Sequence, residues 1–274
     1  MSMIGEFTEA RARPRLSGSG IFGLALSSLL GSFALVGPVV LPTDPAAQDF
    51  SASLAPIGGD YLLGADHYGR SLLARLAHGA RLSFGLAFLT MLAAALPGVL
   101  FGLVAAWKGG WIERLMELLA TVVLALPGLM LVLLLLAFSP GNYAPLFLGL
   151  SLTLWVEFYR VTRASSKTIL AQPHIEAARI LGFGSGYILR NHVLPVIAPT
   201  IATLAAFAMA TAIIAVSTLS AISVGLQPPT PELGSMIVEL LPYYAEAPLH
   251  VLMPAMLIFL LVLGLQLVAE GDRG

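Results

Sequence analysis

Apolar residues in this chain gather in long, nearly unbroken runs, and polar residues collect in the gaps between them. A helix rises about 1.5 Å per residue, so about 20 predominantly apolar residues cross the hydrocarbon core of a bilayer. On that measure the chain is predicted to span a membrane over 21–41, 82–107, 118–138, 144–161, 196–220 and 249–269. Pro42 ends the first run, and Ser139-Pro140-Gly141-Asn142 supplies a tight turn between the third and fourth. The fourth is short and carries Glu157 near its end. Pro97, Pro127, Pro199 and Pro254 fall inside runs, where each removes a backbone donor and is expected to kink its helix. The run at 21–41 exceeds the roughly 7–15 apolar residues of a secretory leader, and Glu6 and Glu9 precede it, so it is expected to be an uncleaved span. Two long connections remain, a polar one at 42–80 and a charge-rich one at 160–195, with short segments 1–20 and 270–274 at the ends of a membrane domain over 21–269.

Of 274 residues, 58% are hydrophobic and 11% charged, which leaves no room for a large hydrophilic catalytic domain. A formal net charge of −1 offers no basic field for nucleic acid, so none is expected as a partner. With no cysteine, disulfides, thiolate metal sites and cysteine nucleophiles are excluded. Charge becomes informative once divided by side. Arg11, Arg13, Arg15, Lys108, Arg114, Arg160, Arg163, Lys167, Arg179, Arg190 and Arg273 fall on one side of a six-span topology, and only Arg70, Arg75 and Arg81 on the other. The positive-inside rule then puts both termini and the 160–195 loop in the cytoplasm.

Within that loop, Pro173 suits the first turn of a helix, because its missing N–H would be unsatisfied there anyway. A short helix is predicted over 174–181, with Gly182 at its C-terminal cap and Gly184 and Gly186 beyond. Ala177 and Ala178 are expected to leave one face flat, flanked by Glu176 and Arg179, as a surface another protein can approach closely. Gly182-Phe183-Gly184-Ser185-Gly186 lacks the Gly-Lys-Ser/Thr ending of a phosphate loop, so nucleotide binding is not expected. His174, His192, His67, His78 and Asp66 lack metal-ligand spacing, and no metal site is expected. Glu157 is expected to pair with Arg160 three residues on, and Asp66 with Arg70 across one helical turn.

Glu176, Ala177, Ala178 and Gly182, followed by Leu194-Pro195, resemble the EAA loop of ABC-importer permeases. The branch resembled is the dipeptide, oligopeptide and nickel one, specifically its shorter heterodimer partner. Leu63-Gly64-Ala65-Asp66-His67-Tyr68-Gly69-Arg70, with Arg75, Gly79, Arg81 and Ser83, is similar to that branch's segment after the first span. Gly109-Gly110-Trp111 is similar to its second-to-third span loop, and Leu219-Ser220, Gly225 and 227–231 to its last external loop. Ala65, Ser71, Ala221, Ser223 and Leu233 depart from the usual residues.

The resemblance implies an all-α, six-span bundle of the type I importer kind in a bacterial or archaeal inner membrane. It implies no cofactor and no catalysis by this chain. Its partners would be a second permease, two ABC ATPases, an extracytoplasmic solute-binding protein and membrane lipid. By the same resemblance Glu176, Ala177, Ala178, Arg179 and Gly182 would couple to the ATPases. Asp66, Gly69 and Arg70 would form the external loop element, and Thr203, Thr211 and Ser217 would line the pathway for a peptide, a nickel or metal chelate, or an opine. Between 196 and 220 the polar residues are Thr200, Thr203, Thr211, Ser217, Thr218 and Ser220, with no acid or base, which suits a neutral or chelated solute over a bare cation. A secondary transporter and an intramembrane enzyme are the rival readings; both call for ionisable groups at mid-membrane, and the spans hold almost none.

Overall fold

A computed structural model describes residues 17–41, 43–59, 61–139 and 142–271. The stop at Pro42, the turn at Pro140-Gly141, Glu6 and Glu9, and the basic residues Arg11, Arg13, Arg15 and Arg273 lie outside them.

The chain is all-α. Among the described residues its helices are α1 (Gly18–Val40), α2 (Leu72–Lys108), α3 (Gly110–Leu124), α4 (Gly128–Leu136), α5 (Tyr143–Leu170), α6 (Pro173–Ile180), α7 (Ser185–Ile188), α8 (Leu194–Ala221), α9 (Leu233–Leu240) and α10 (Pro248–Gly271). A five-residue π turn, Leu189–Val193, joins α7 to α8. Side-chain caps start four of them: Ser17 accepts from the Gly20 N–H, Ser71 from Ala74, Asn142 from Ala144 and Glu232 from Ser235.

Among the described residues, four helical runs are long and apolar enough to cross a membrane: α1, α2, the continuous stretch Ser185–Ala221, and α10. The predicted span at 118–138 is instead α3 and α4, bent by 71° relative to each other, and Pro127 stands at the break. Counting that pair as one gives, by length and composition among the described residues, five of the six expected spans. The remaining helix, α5, has 28 residues, but Glu157, Arg160, Arg163 and Lys167 occupy its second half. Pro97, Pro199 and Pro254 sit inside helices that continue past them.

Two of the boundaries that differ from expectation lie in charged stretches. α2 begins ten positions before 82, so 72–81 is helix rather than loop. The misreading follows from Arg75, His78 and Arg81, which break the apolar run although the backbone is already helical. α5 likewise continues beyond 161 to Leu170, on charged residues that bond to α3.

In lipid no hydrophobic gain separates helix–helix from helix–lipid contact, so close backbone approach and van der Waals packing hold such a bundle. The α2–α5 seam shows the device. Gly98 and Gly102 lie four apart, and a Cβ on them would fall 2.5 Å from the Phe158 Cβ and 2.7 Å from the Thr162 Cβ. α1 and α10 meet the same way, at Gly23 against Leu267 and Gly264 against Ser27. Leu72, Leu76, Met91, Phe158, Ile213 and Met236 lie in the buried centre, whereas Leu96, Leu118, Val196 and Phe259 point outward.

Candidate functional site

Two functional candidates stand at opposite ends of α2. At its C-terminal end, α5 turns at Ala171-Gln172 into α6, with Pro173 in the first turn of α6 as expected. Gly182 adopts φ +82°, its N–H donates to the Arg179 carbonyl (3.0 Å), and the Phe183 N–H donates to the Ala178 carbonyl (3.1 Å). That pair of bonds is a Schellman cap, and the left-handed position is one that glycine occupies without a Cβ clash.

Helical geometry then sorts the loop's residues by face. Ile175 and Ala178 turn inward with Ile169, Ile188, Val193 and Ile197, and Leu103 and Trp107 of α2 pack against them. Ala178 is 7% exposed, so the expected flat outer face of Ala177 and Ala178 is corrected: the two alanines are about 100° apart around the helix, and only Ala177 faces out. Glu176 also faces out. Arg179 stacks its guanidinium over the Trp107 ring, 4.8 Å from the centroid. Two residues not singled out from sequence dominate the exposed surface, Ile180 at 81% and Leu181 at 75% exposure. With Ile175 and Ala178 inward, the helical period places Ile180 on the opposite side, whereas Leu181, three residues after Ala178 and at the C-cap, carried no such signal. Phe183 and Tyr187 stack at 4.7 Å, and Tyr187 meets His192 edge-on. Among the described residues no group of three or more His, Asp or Glu stands close enough to hold a metal ion.

At the N-terminal end of α2, Asp66 and Arg70 do pair (Nε–Oδ2 2.6 Å), but across a tight turn rather than a helical one. The Gly69 N–H donates to the Asp66 carbonyl (2.9 Å) and Gly69 takes φ +72°. A Cβ on Gly69 would overlap the Asp49 carbonyl, so the turn requires glycine. Asp66 Oδ1 also accepts from the Tyr68 and Arg70 backbone N–H groups (2.8 and 3.0 Å). Two further residues complete the site. Arg75, from the first turns of α2, bonds Asp66, and Glu239 of α9 accepts from Arg70 Nη2 (2.7 Å) and Arg75 Nη2 (3.0 Å). Asp66, Arg70 and Arg75 are buried, and two acids balance two bases. Burial alone would raise the Asp66 carboxyl, but the Arg70 backbone N–H and the charges of Arg75 and Arg70 outweigh it and hold it below its ordinary value. Burial holds neighbouring His67 below its ordinary value against the pull of Asp66, and its ring stacks on Tyr243 at 4.9 Å. A lone acid in the otherwise apolar stretch Leu233–Leu240 was the sequence signal for Glu239.

The pairing expected for Glu157 is not formed. Arg160 donates to Glu117 (2.9 Å), Arg163 to Glu113 (2.7 Å) and Glu117 (2.8 Å), and Lys167 to Glu113 (2.6 Å). These bonds tie α5 to α3, whose carboxylates face α5 directly, while Glu157 lies on an exposed side. Of the three expected pathway residues, Thr211 is exposed and Thr203 half-buried. Ser217 is 6% exposed and donates to Glu232 (2.9 Å), which caps α9, so it does not face outward. Thr200, Thr211, Ile214 and Thr218 are four of the exposed positions of α8 and are spaced as one helical stripe. A cavity of about 270 Å³ lies beside the charge cluster, lined by Ser220, Ser223, Gln227, Ser235 and Glu239 together with Leu226, Pro228 and Val238.

Residues 98–270 match the family described as binding-protein-dependent transport system inner membrane component. The di/tripeptide transport system permease protein DppC of Pseudomonas aeruginosa is 32% identical over 257 residues, covering 92% of this chain and 85% of that protein. The dipeptide transport system permease protein DppC of Haemophilus influenzae is 28% identical over 260 residues, covering 92% and 88%. The glutathione transport system permease protein GsiD of Pectobacterium atrosepticum is 29% identical over 211 residues, covering 77% and 70%. The match spans the bundle from the α2–α5 seam to the last turn of α10 and takes in the capped helix α6. This chain therefore belongs to the binding-protein-dependent transport system inner membrane components, a family of transport permeases and not of enzymes.

Proposed function

We propose that this chain is one of two permease subunits of an ATP-driven importer, and that α6 is its contact with an ABC ATPase. The observation that carries the reading is the apolar tip of α6. Ile180 and Leu181 stand almost fully exposed on a helix whose other face is packed and whose end is capped. An aqueous surface does not favour two large aliphatic side chains side by side, and a partner's groove would cover them. Lys108, Arg160, Arg163, Lys167, Arg179 and Arg190 lie toward the α6 end of the chain's helices, which supports a cytoplasmic position for this end and for both termini. The further partners are a homologous permease, a second ATPase, an extracytoplasmic binding protein and lipid.

The solute we assign is a short peptide. The relatives carry dipeptide, di/tripeptide and glutathione names, and none of those three names points to nickel or an opine. The α8 stripe of Thr200, Thr211 and Thr218 offers hydroxyls without charge, which suits weak, passing contact with peptide groups. The second permease would close the other side of this route.

Replacing Leu181 with Asp, in the assembled transporter, is the test. Burying a leucine contributes about 1.5–3 kcal/mol, so the ATPase subunits should co-purify at a roughly 10- to 100-fold weaker affinity, with peptide uptake falling in step. Undiminished co-purification and uptake would remove α6 as the contact.

A further inference from the structure

The two candidate sites are joined by one helix. α2 has 37 residues without a break and so reaches roughly 55 Å, more than a bilayer core. At its cytoplasmic end Leu103 and Trp107 form part of the seat of α6, and Arg179 of α6 stacks on the Trp107 ring. At its external end Arg75 bonds both Asp66 and Glu239, and the Leu72 N–H donates to the Gly64 carbonyl (3.1 Å). One turn further in, Gly79 receives the Leu233 side chain, whose Cδ2 would lie 3.1 Å from a Cβ there. α9 is thus clamped to α2 at its first residue, Leu233, and near its last, at Glu239. The same α9 supplies Ser235, Val238 and Glu239 to the wall of the external cavity.

We propose that α2 is a strut that carries a displacement of α6 to the cavity wall on α9, with Trp107 as the positioning residue at its cytoplasmic end. The inference rests on the reading of α6 as the ATPase contact and adds a route from that contact to the external mouth. A helix transmits displacement along its axis when both ends are fastened, and α2 is fastened by a cation–π stack at one end and by a buried ion cluster at the other. Between those ends, Gly98 and Gly102 seat the C-terminal third of α2 closely against α5. Trp107 touches neither solute nor ATPase in this account and acts only through Arg179 and the α6 seat.

Other connections exist. α5 runs into α6 through Ala171-Gln172, the π turn runs on into α8, and α8 meets α9 through Ser217 and Glu232. Spatial continuity alone does not establish coupling, so the test must separate these routes. The chain has no cysteine, so a single introduced thiol reports on it without background from the same polypeptide.

In the complete transporter, reconstituted with both permeases, the ATPases and the binding protein, Val238→Cys would be labelled with N-ethylmaleimide, with and without ATP and vanadate. The expected result is a nucleotide-dependent labelling rate, with the dependence reduced roughly 3- to 30-fold by Trp107→Leu and restored by Trp107→Phe, which keeps an aromatic face for Arg179. A purely structural role would lower melting temperature or assembly in both Trp107 variants alike and would not divide them. A Val238→Cys response that persists in Trp107→Leu would overturn the strut and leave α5 or α8 as the carrier. A parallel Ala177→Cys variant keeps the two readings apart. Protection of that thiol by the ATPases, alongside a Val238→Cys response insensitive to Trp107→Leu, refutes the strut alone. Absence of that protection refutes the α6 contact on which the strut rests.

Discussion

Replacing Glu239 with Gln tests the buried cluster of Asp66, Arg70, Arg75 and Glu239 most directly. The change keeps the side chain's size and one acceptor oxygen but removes a charge. In the native site Asp66 and Glu239 balance Arg70 and Arg75, both buried. After the substitution Asp66 alone faces two guanidiniums, and the site carries a net positive charge away from water. Breaking a buried pair by removing one partner costs about 3–5 kcal/mol. Coulomb's law gives the same order, about 4 kcal/mol for one charge pair at 4 Å with an effective dielectric of 20. A chain of this size loses about 2–4 °C per kcal/mol, so the purified protein in nanodiscs should melt roughly 6 to 20 °C lower. The double variant Glu239→Leu with Arg75→Met leaves Asp66 and Arg70 as a neutral pair. It should melt closer to the native protein than Glu239→Leu alone, because removing both partners of a buried pair is often near neutral. Measured melting curves decide the matter. A Glu239→Gln protein that melts with the native one, or a double variant no better than the single, would refute the reasoning.

The depressed Asp66 carboxyl makes stability depend on pH: its contribution is complete above the unfolded value of about 3.9 and is lost as pH falls through the lower folded value, so melting curves taken from pH 6 down to 3 should flatten in Asp66→Asn. Gly182→Ala places a Cβ at φ +82°, which costs about 1–2 kcal/mol and should raise hydrogen exchange at Arg179 and Phe183, where the cap bonds are made. Ala178→Trp overpacks the seat of α6 from inside its own chain, at about 1–3 kcal/mol, so its melting temperature should fall even in the isolated subunit; an effect seen only with ATPases present would contradict the inward placement. Gly102→Leu wedges α2 from α5 at Thr162 and should prevent folding into a stable subunit, read as loss of a monodisperse peak on size exclusion.

The membrane class, the apolar stretches and the small capped helix after Pro173 were all legible in the residues, because each follows from local rules. A run of about 20 apolar residues must cross the bilayer, proline fits a first turn, and glycine fits a left-handed cap. The ordered motifs from Leu63 to Pro231 pointed to the family that the matches over 98–270 confirm. Pairing was less legible, because partners lie far apart in sequence. Arg160 had an acid three residues away and still bonds Glu117, 43 positions earlier, because α3 lies beside that face of α5. Glu239 reaches Arg75 across 164 positions.

Spacing along one helix decides which residues share a face, and the chain states that outright; which face turns inward depends on neighbours that only the folded bundle supplies. Ala177 and Ala178 are adjacent and chemically identical, yet the α2 residues Leu103 and Trp107 take one of them into the seat and leave the other outside. Ser217 read as a pathway hydroxyl until Glu232 at the start of α9 claimed it. The break between α3 and α4 was latent in Pro127, whereas equally placed prolines in α2, α8 and α10 leave their helices continuous. A proline removes the same backbone bond wherever it stands, and the packing around it decides whether the helix runs on.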